Sequence, residues 1–132
     1  MKKFSKIFAS ICFIAIFTFP SAAVAASSSI TRSNFTATQR TGEIRRTVNN
    51  QRARTDGQHT GAANTLRIRT VGRNDTAGWS IPGPTRDILP GRTASTPMLM
   101  GCTIGMRTYW RGEMWSTTNR PVSGRITVLR GG

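Results

Sequence analysis

Leu66-Arg67-Ile68-Arg69-Thr70-Val71 is the stretch that decides the fold class. Apolar or β-branched residues alternate with arginine at a period of two, the spacing of a strand with one buried and one wet face. Placing Leu66, Ile68 and Thr70 inward puts Arg67 and Arg69 in solvent, because successive side chains on a strand lie on opposite faces. The pattern returns in Ile104-Gly105-Met106-Arg107-Thr108-Tyr109-Trp110-Arg111 and in Arg125-Ile126-Thr127-Val128-Leu129. In the first of these Met106, Thr108 and Trp110 face inward, and Arg107, Tyr109 and Arg111 outward. In the second, Ile126 and Val128 point opposite to Arg125 and Thr127. No stretch carries a helical face, and no internal repeat is visible. The chain therefore predicts an all-β domain, a small antiparallel β-sandwich or barrel.

Between the first two segments lies Gly72 to Pro97, a long Gly/Pro-rich loop in which Pro82-Gly83-Pro84 and Pro90-Gly91 forbid an extended regular element. Met98 to Met100 reads as a short buried strand or a helical turn. Gly112-Glu113 reads as a type II′ hairpin turn or as a bulge within one long strand. Asn119-Arg120-Pro121 and Ser123-Gly124 form a turn into the last strand.

Upstream, residues 27–63 hold few large apolar side chains (Ile30, Phe35, Ile44 and Val48) among six arginines. Such a segment buries little surface against the entropy of ordering. It is expected to be an edge hairpin, Phe35–Gln39 against Ile44–Val48 across Thr41-Gly42, or a mobile arm. Asn49 to Asn64 reads as a polar loop. The Arg45-Arg46 pair also admits processing that would make this segment a propeptide.

The first 26 residues have the plan of a secretory signal: Lys2, Lys3 and Lys6, an apolar run from Ile7 to Phe19, then small residues ending at Ala26. The division is thus 1–26 signal, 27–63 arginine-rich segment, 64–132 β-rich core, and the expected location is outside the cell or in a periplasm. Cutting after Ala26 removes every lysine and leaves sixteen arginines against five acids. It also removes five of the six phenylalanines, so Trp79, Tyr109, Trp110 and Trp115 become the largest side chains available. Of the tryptophans, Trp110 and Trp115 are core or interfacial anchors, with at least one in the core. Cys12 leaves with the signal, so Cys102 has no partner within the chain; it reads first as a small buried hydrophobe.

Guanidinium is planar, permanently charged and grips phosphates and carboxylates through paired hydrogen bonds, which lysine cannot do. If the alternating strands are neighbours, their arginines form adjacent columns with Tyr109 between them. The expected binding residues are Arg67, Arg69, Arg107, Tyr109, Arg111 and Arg125. The expected partner is an anionic envelope polymer or membrane surface, with nucleic acid also compatible with the charge. The leading reading is a small secreted cationic β-protein of antibacterial, bacteriocin-like type. A second is the subunit of an extracellular or coat assembly, a homo-oligomer held by edge strands or Cys102.

Catalytic patterns are sparse. A single histidine, His59, and no cysteine pair give no zinc-ligand pattern, and the acids lack calcium-loop spacing. No nucleophile elbow, P-loop or dinucleotide fingerprint occurs. No cofactor is implied, and the protein is read as a non-enzyme. The chemical alternative is a metal-independent secreted ribonuclease: Glu43 or Glu113 as base, His59 as acid, and Arg69, Arg107 or Arg111 on the phosphate.

Overall fold

The computed structural model describes residues 26–47, 51–74, 78–100 and 107–131. The expected signal up to residue 25, Ile104, Met106 and Cys102 lie outside the described residues, so their readings stay as stated. Two antiparallel sheets pack as a β-sandwich, as the alternation predicts. The strands are β1 (Ser27–Phe35), β2 (Gln39–Arg40), β3 (Ile44–Arg45), β4 (Arg52–His59), β5 (Leu66–Asn74), β6 (Ile81–Pro82), β7 (Arg86–Ile88), β8 (Thr93–Ser95), β9 (Leu99–Met100), β10 (Thr108–Ser116) and β11 (Val122–Gly131). One sheet runs β1-β11-β4, with β8 and β9 along the far edge of β4; the other centres on β10 and β5, flanked by β2 and β3 on one side and β6 and β7 on the other.

β4 and β5 are adjacent in the chain yet lie in opposite sheets, and so do β10 and β11. These connections are arches rather than hairpins. Buried side chains hold the two arches. His59 accepts from the Gly61 amide at its Nδ1 (3.0 Å), and its Nε2–H donates to the Asn64 carbonyl (2.9 Å). In the other arch the Ser116 hydroxyl donates to the Arg120 carbonyl at 2.6 Å and accepts from the Thr118 amide. Asn64 and Asn119 supply the left-handed backbone that each turn requires, with φ of 66° and 60°.

The inward residues build two apolar clusters. Phe35, Leu66, Ile68, Ile88, Met114, Val122 and Ile126 form the larger; Ile44, Ala53, Trp110 and Val128 form the smaller. Between them the inward positions of three strands turn small or hydroxylic: Thr55 on β4, Thr70 on β5 and Gly112 on β10. The Thr70 and Thr55 hydroxyls are 2.7 Å apart, Thr70 and Thr96 are 3.2 Å apart, and the Thr55 amide donates to Thr96 Oγ1 at 2.9 Å. One direction satisfies the whole chain: Thr96 donates to Thr70, Thr70 to Thr55, and Thr55 to the Arg69 carbonyl (3.3 Å). A Cβ on Gly112 would sit 3.0 Å from Thr55 Cγ2, so this polar waist needs a glycine opposite it.

Several expectations are corrected. Gly112-Glu113 is neither turn nor bulge: β10 pairs with β5 without a register break from Thr108↔Asn74 to Ser116↔Leu66. The Phe35–Gln39/Ile44–Val48 hairpin does not form. Phe35 pairs with Val122 in one sheet, while β2 and β3 both pair with β10 in the other, with an extra residue bulged between them. Asn49 to Asn64 is not a loop throughout, because β4 occupies 52–59 and is paired on both sides. Residues 27–63 thus contribute to both sheets, and removing them at Arg45-Arg46 would strip β1 from the edge of β11. Met98–Met100 contains a strand, β9, but Met98 and Met100 are exposed. Ser123 and Gly124 belong to β11 rather than to the turn before it.

Candidate functional site: an arginine–aromatic sheet face

β5 and β10 are direct neighbours, so their outward residues share one face. Opposite one another stand Arg73 and Tyr109, Val71 and Arg111, Arg69 and Glu113, Arg67 and Trp115. Strand alternation alone places Arg67, Arg69, Tyr109 and Arg111 here, and Arg107 precedes β10 on the same outward parity. The edge strands add Arg40 opposite Glu113 and Arg45 opposite Tyr109. The structure therefore brings together four of the six expected binding residues, Arg67, Arg69, Tyr109 and Arg111, with Arg107 exposed immediately before β10. Arg125 is separated from them: it faces outward from β11, on the other sheet.

Glu113 is the hub of the face. Its carboxylate accepts from Arg40 (3.3 Å), Arg69 (2.9 Å) and Arg111 (2.8 Å), and its side chain is only 3% exposed. Burial pushes its pKa up, but hydrogen bonds and charge from Arg69 and Arg111 outweigh this and hold it below the usual carboxylate range. Arg67 and Asp87 form a two-pronged pair, Nε to Oδ1 at 2.6 Å and Nη2 to Oδ2 at 3.0 Å. The hydrogen bond from Arg67 lowers the Asp87 pKa, and the reciprocal bond raises that of Arg67. Arg73 holds Glu43 at 3.0 Å.

Aromatic rings cover the guanidinium planes. Arg73 lies 4.2 Å from the Tyr109 centroid and 5.2 Å from Trp79; Arg111 lies 4.3 Å from Trp79; Arg69 lies 5.0 Å from Trp115. Cation–π contacts of this kind are each worth ~0.5–1 kcal/mol at exposed sites. Together the layer seals Val71, which points outward yet is buried. A guanidinium stacked on a ring keeps its N–H edge in the plane, where it can meet an anionic oxygen.

Several residues of this face are not legible in the sequence. Trp79 reads as one of the large side chains available for the core, whereas it packs between Arg73 and Arg111. Arg73 lies one step past the quoted alternation, and Arg40 and Arg45 read as parts of a hairpin. Glu113 reads as part of a turn or as a catalytic base, and Glu43 as a catalytic base. Of the tryptophans, Trp110 is fully buried in the smaller cluster and Trp115 lies on the outer face.

Of the residues in the ribonuclease reading, the fold brings Glu113, Arg69 and Arg111 together but sets His59 apart from them. His59 faces inward from β4 with both ring nitrogens bonded to the arch, whereas Glu43 and Glu113 belong to the outer face of the opposite sheet. Among the described residues, no group of three or more metal-ligating side chains converges.

No protein-family model matches the sequence, and no curated protein matches it. Among solved structures, the chain is similar to the crystal structure of PirA at a TM-score of 0.43 and 13% identity, over 83% of this chain and 96% of that one. It is also similar to a chain in the structure of infectious bursal disease virus Gx strain, at a TM-score of 0.32 and 11% identity, over 80% of this chain and 32% of that one. Both likenesses are distant, and neither informs the arginine–aromatic face.

Proposed function

We propose that this is a secreted cationic β-protein that binds an anionic envelope polymer or membrane surface through the outer face of β5 and β10. One observation carries the reading: Arg69, Arg73 and Arg111 stand in adjacent columns, each stacked on Trp79, Tyr109 or Trp115. Stacking fixes the guanidinium planes before a ligand arrives, which lowers the ordering cost of binding. The three arginines on Glu113 outnumber its single charge, and the chain as a whole is strongly basic. An antibacterial role would follow from such attraction to a cell surface.

The test is retention on vesicles containing anionic lipid, and on isolated envelopes, across a salt series. Retention at low salt that falls steeply as salt rises is expected. Arg73→Lys and Arg111→Lys keep the charge but remove the stacked, forked geometry, and both should weaken retention. No retention at low salt would overturn the proposal, and unchanged retention in the lysine variants would reduce it to charge alone.

A further inference from the structure

The outer face of the other sheet carries a separate constellation. β8, β4 and β11 run side by side, and their outward positions align in two cross-strand rows, Ser95–Asp56–Thr127 and Thr93–Gln58–Arg125. These side chains line a concavity of about 370 Å3, within the ~300–1,000 Å3 range of small-molecule sites. The side chains that project into it are hydroxyl, amide, carboxylate and guanidinium; Gly57 and Ala94 also border it, but the Ala94 side chain packs against the larger apolar cluster.

The polar groups are held in part and available in part. Asp56 Oδ1 accepts from the Ser95 hydroxyl at 2.6 Å and from Arg54 Nε at 3.0 Å, while Oδ2 has no partner among the described residues. Thr127 Oγ1 is fixed against the Ser29 hydroxyl at 2.6 Å. Gln58 and Arg125 are exposed, and Arg125 forms no ion pair among the described residues. β4 is already paired on both edges here, so the backbone at the centre of the concavity is closed to an added peptide strand. A ligand must be read by side chains, and by polar ones. One open guanidinium beside a carboxylate suits a monoanion carrying hydroxyls, and disfavours a phosphate dianion, which Asp56 would repel.

We propose that this concavity binds a carboxylated saccharide unit, with Arg125 gripping the carboxylate through two N–H groups and Asp56 Oδ2 and the Gln58 amide taking ring hydroxyls. The site is independent of the arginine–aromatic face and stands if that reading fails. Methyl β-D-glucuronide, methyl β-D-glucoside and glucose 6-phosphate are the probes, followed by amide chemical shifts in the full chain. Saturable shifts confined to β4, β8 and β11 are expected with the glucuronide, and binding about tenfold weaker or worse with the glucoside, the loss expected for one charge-assisted pair. Arg125→Leu should lose a similar factor and Arg125→Lys less, because lysine keeps charge without the fork. Arg120→Lys, exposed in the arch between β10 and β11, should leave the titration unchanged. Absence of saturable shifts, equal binding of the glucoside, tighter binding of the phosphate, or an unaffected Arg125→Leu would each overturn the proposal.

Discussion

Arg69 and Glu113 are direct cross-strand partners, and Arg69 spans from the Glu113 carboxylate to the Trp115 ring. One guanidinium thus ties a nearly buried charge to an aromatic surface, and the face depends on both contacts.

Glu113→Gln should destabilise the fold by about 2–3 kcal/mol, since it leaves three arginines around a neutral amide. Urea titrations of both proteins measure this. The pH dependence has a definite sign. The folded Glu113 pKa is lowered, so its contribution is present above the unfolded value of about 4.3 and is lost as pH falls through the folded value. Asp87 acts in the same direction. The acid limb of the stability curve should flatten in Glu113→Gln, and an unchanged limb would place the acid sensitivity elsewhere.

His59→Ala should cost roughly 2–4 kcal/mol. It empties a fully buried position and leaves the Gly61 amide and Asn64 carbonyl without their partner. Thermal melts test this directly. A variant that melts like the parent would show that the arch does not rely on the imidazole.

Trp110→Phe should be cheap for a change of that size, below about 1.5 kcal/mol. The buried indole N–H has no partner among the described residues, and such an orphan costs ~1–3 kcal/mol. Removing it offsets much of the packing lost from the smaller cluster. A loss near that of a full large-to-small truncation would mean that the N–H is satisfied in solution.

Gly124→Ala should cost about 1–3 kcal/mol through overpacking, because its Cβ would lie 2.6 Å from Leu66 Cδ2 and 3.2 Å from the Gln58 carbonyl. Gly78→Ala meets nothing within 4 Å among the described residues and should be neutral or slightly stabilising. Denaturation midpoints of the pair separate contact from backbone entropy.

The strands that sequence reveals are those whose inward residues are large. Leu66 and Ile68, or Ile126 and Val128, announce their face against arginine and threonine neighbours. β4 gives no such signal, since its inward residues are Ala53, Thr55, Gly57 and His59. Space above Gly57 is filled from elsewhere: a Cβ there would lie 2.9 Å from both Ile68 Cδ1 and Ile88 Cδ1. Gly112 misleads for the same reason, reading as a turn because its purpose lies across the sandwich at Thr55. For the candidate face, parity alone places Arg67, Arg69, Tyr109 and Arg111 on one side of their strands. Only the pairing of β5 with β10, and not with β11, separates them from Arg125.

β1 lies along β11 from Ser27↔Leu129 to Phe35↔Val122, so one edge of the sandwich is knitted from strands nearly a hundred positions apart. Such a sheet closes late: few local contacts repay the loop entropy before β11 is in reach, and domains of this contact order fold in milliseconds to seconds rather than microseconds. A chain emerging from a ribosome would hold β1 without its partner until β11 had been made, and a chain cut short of β11 would leave β1 without the strand it pairs with.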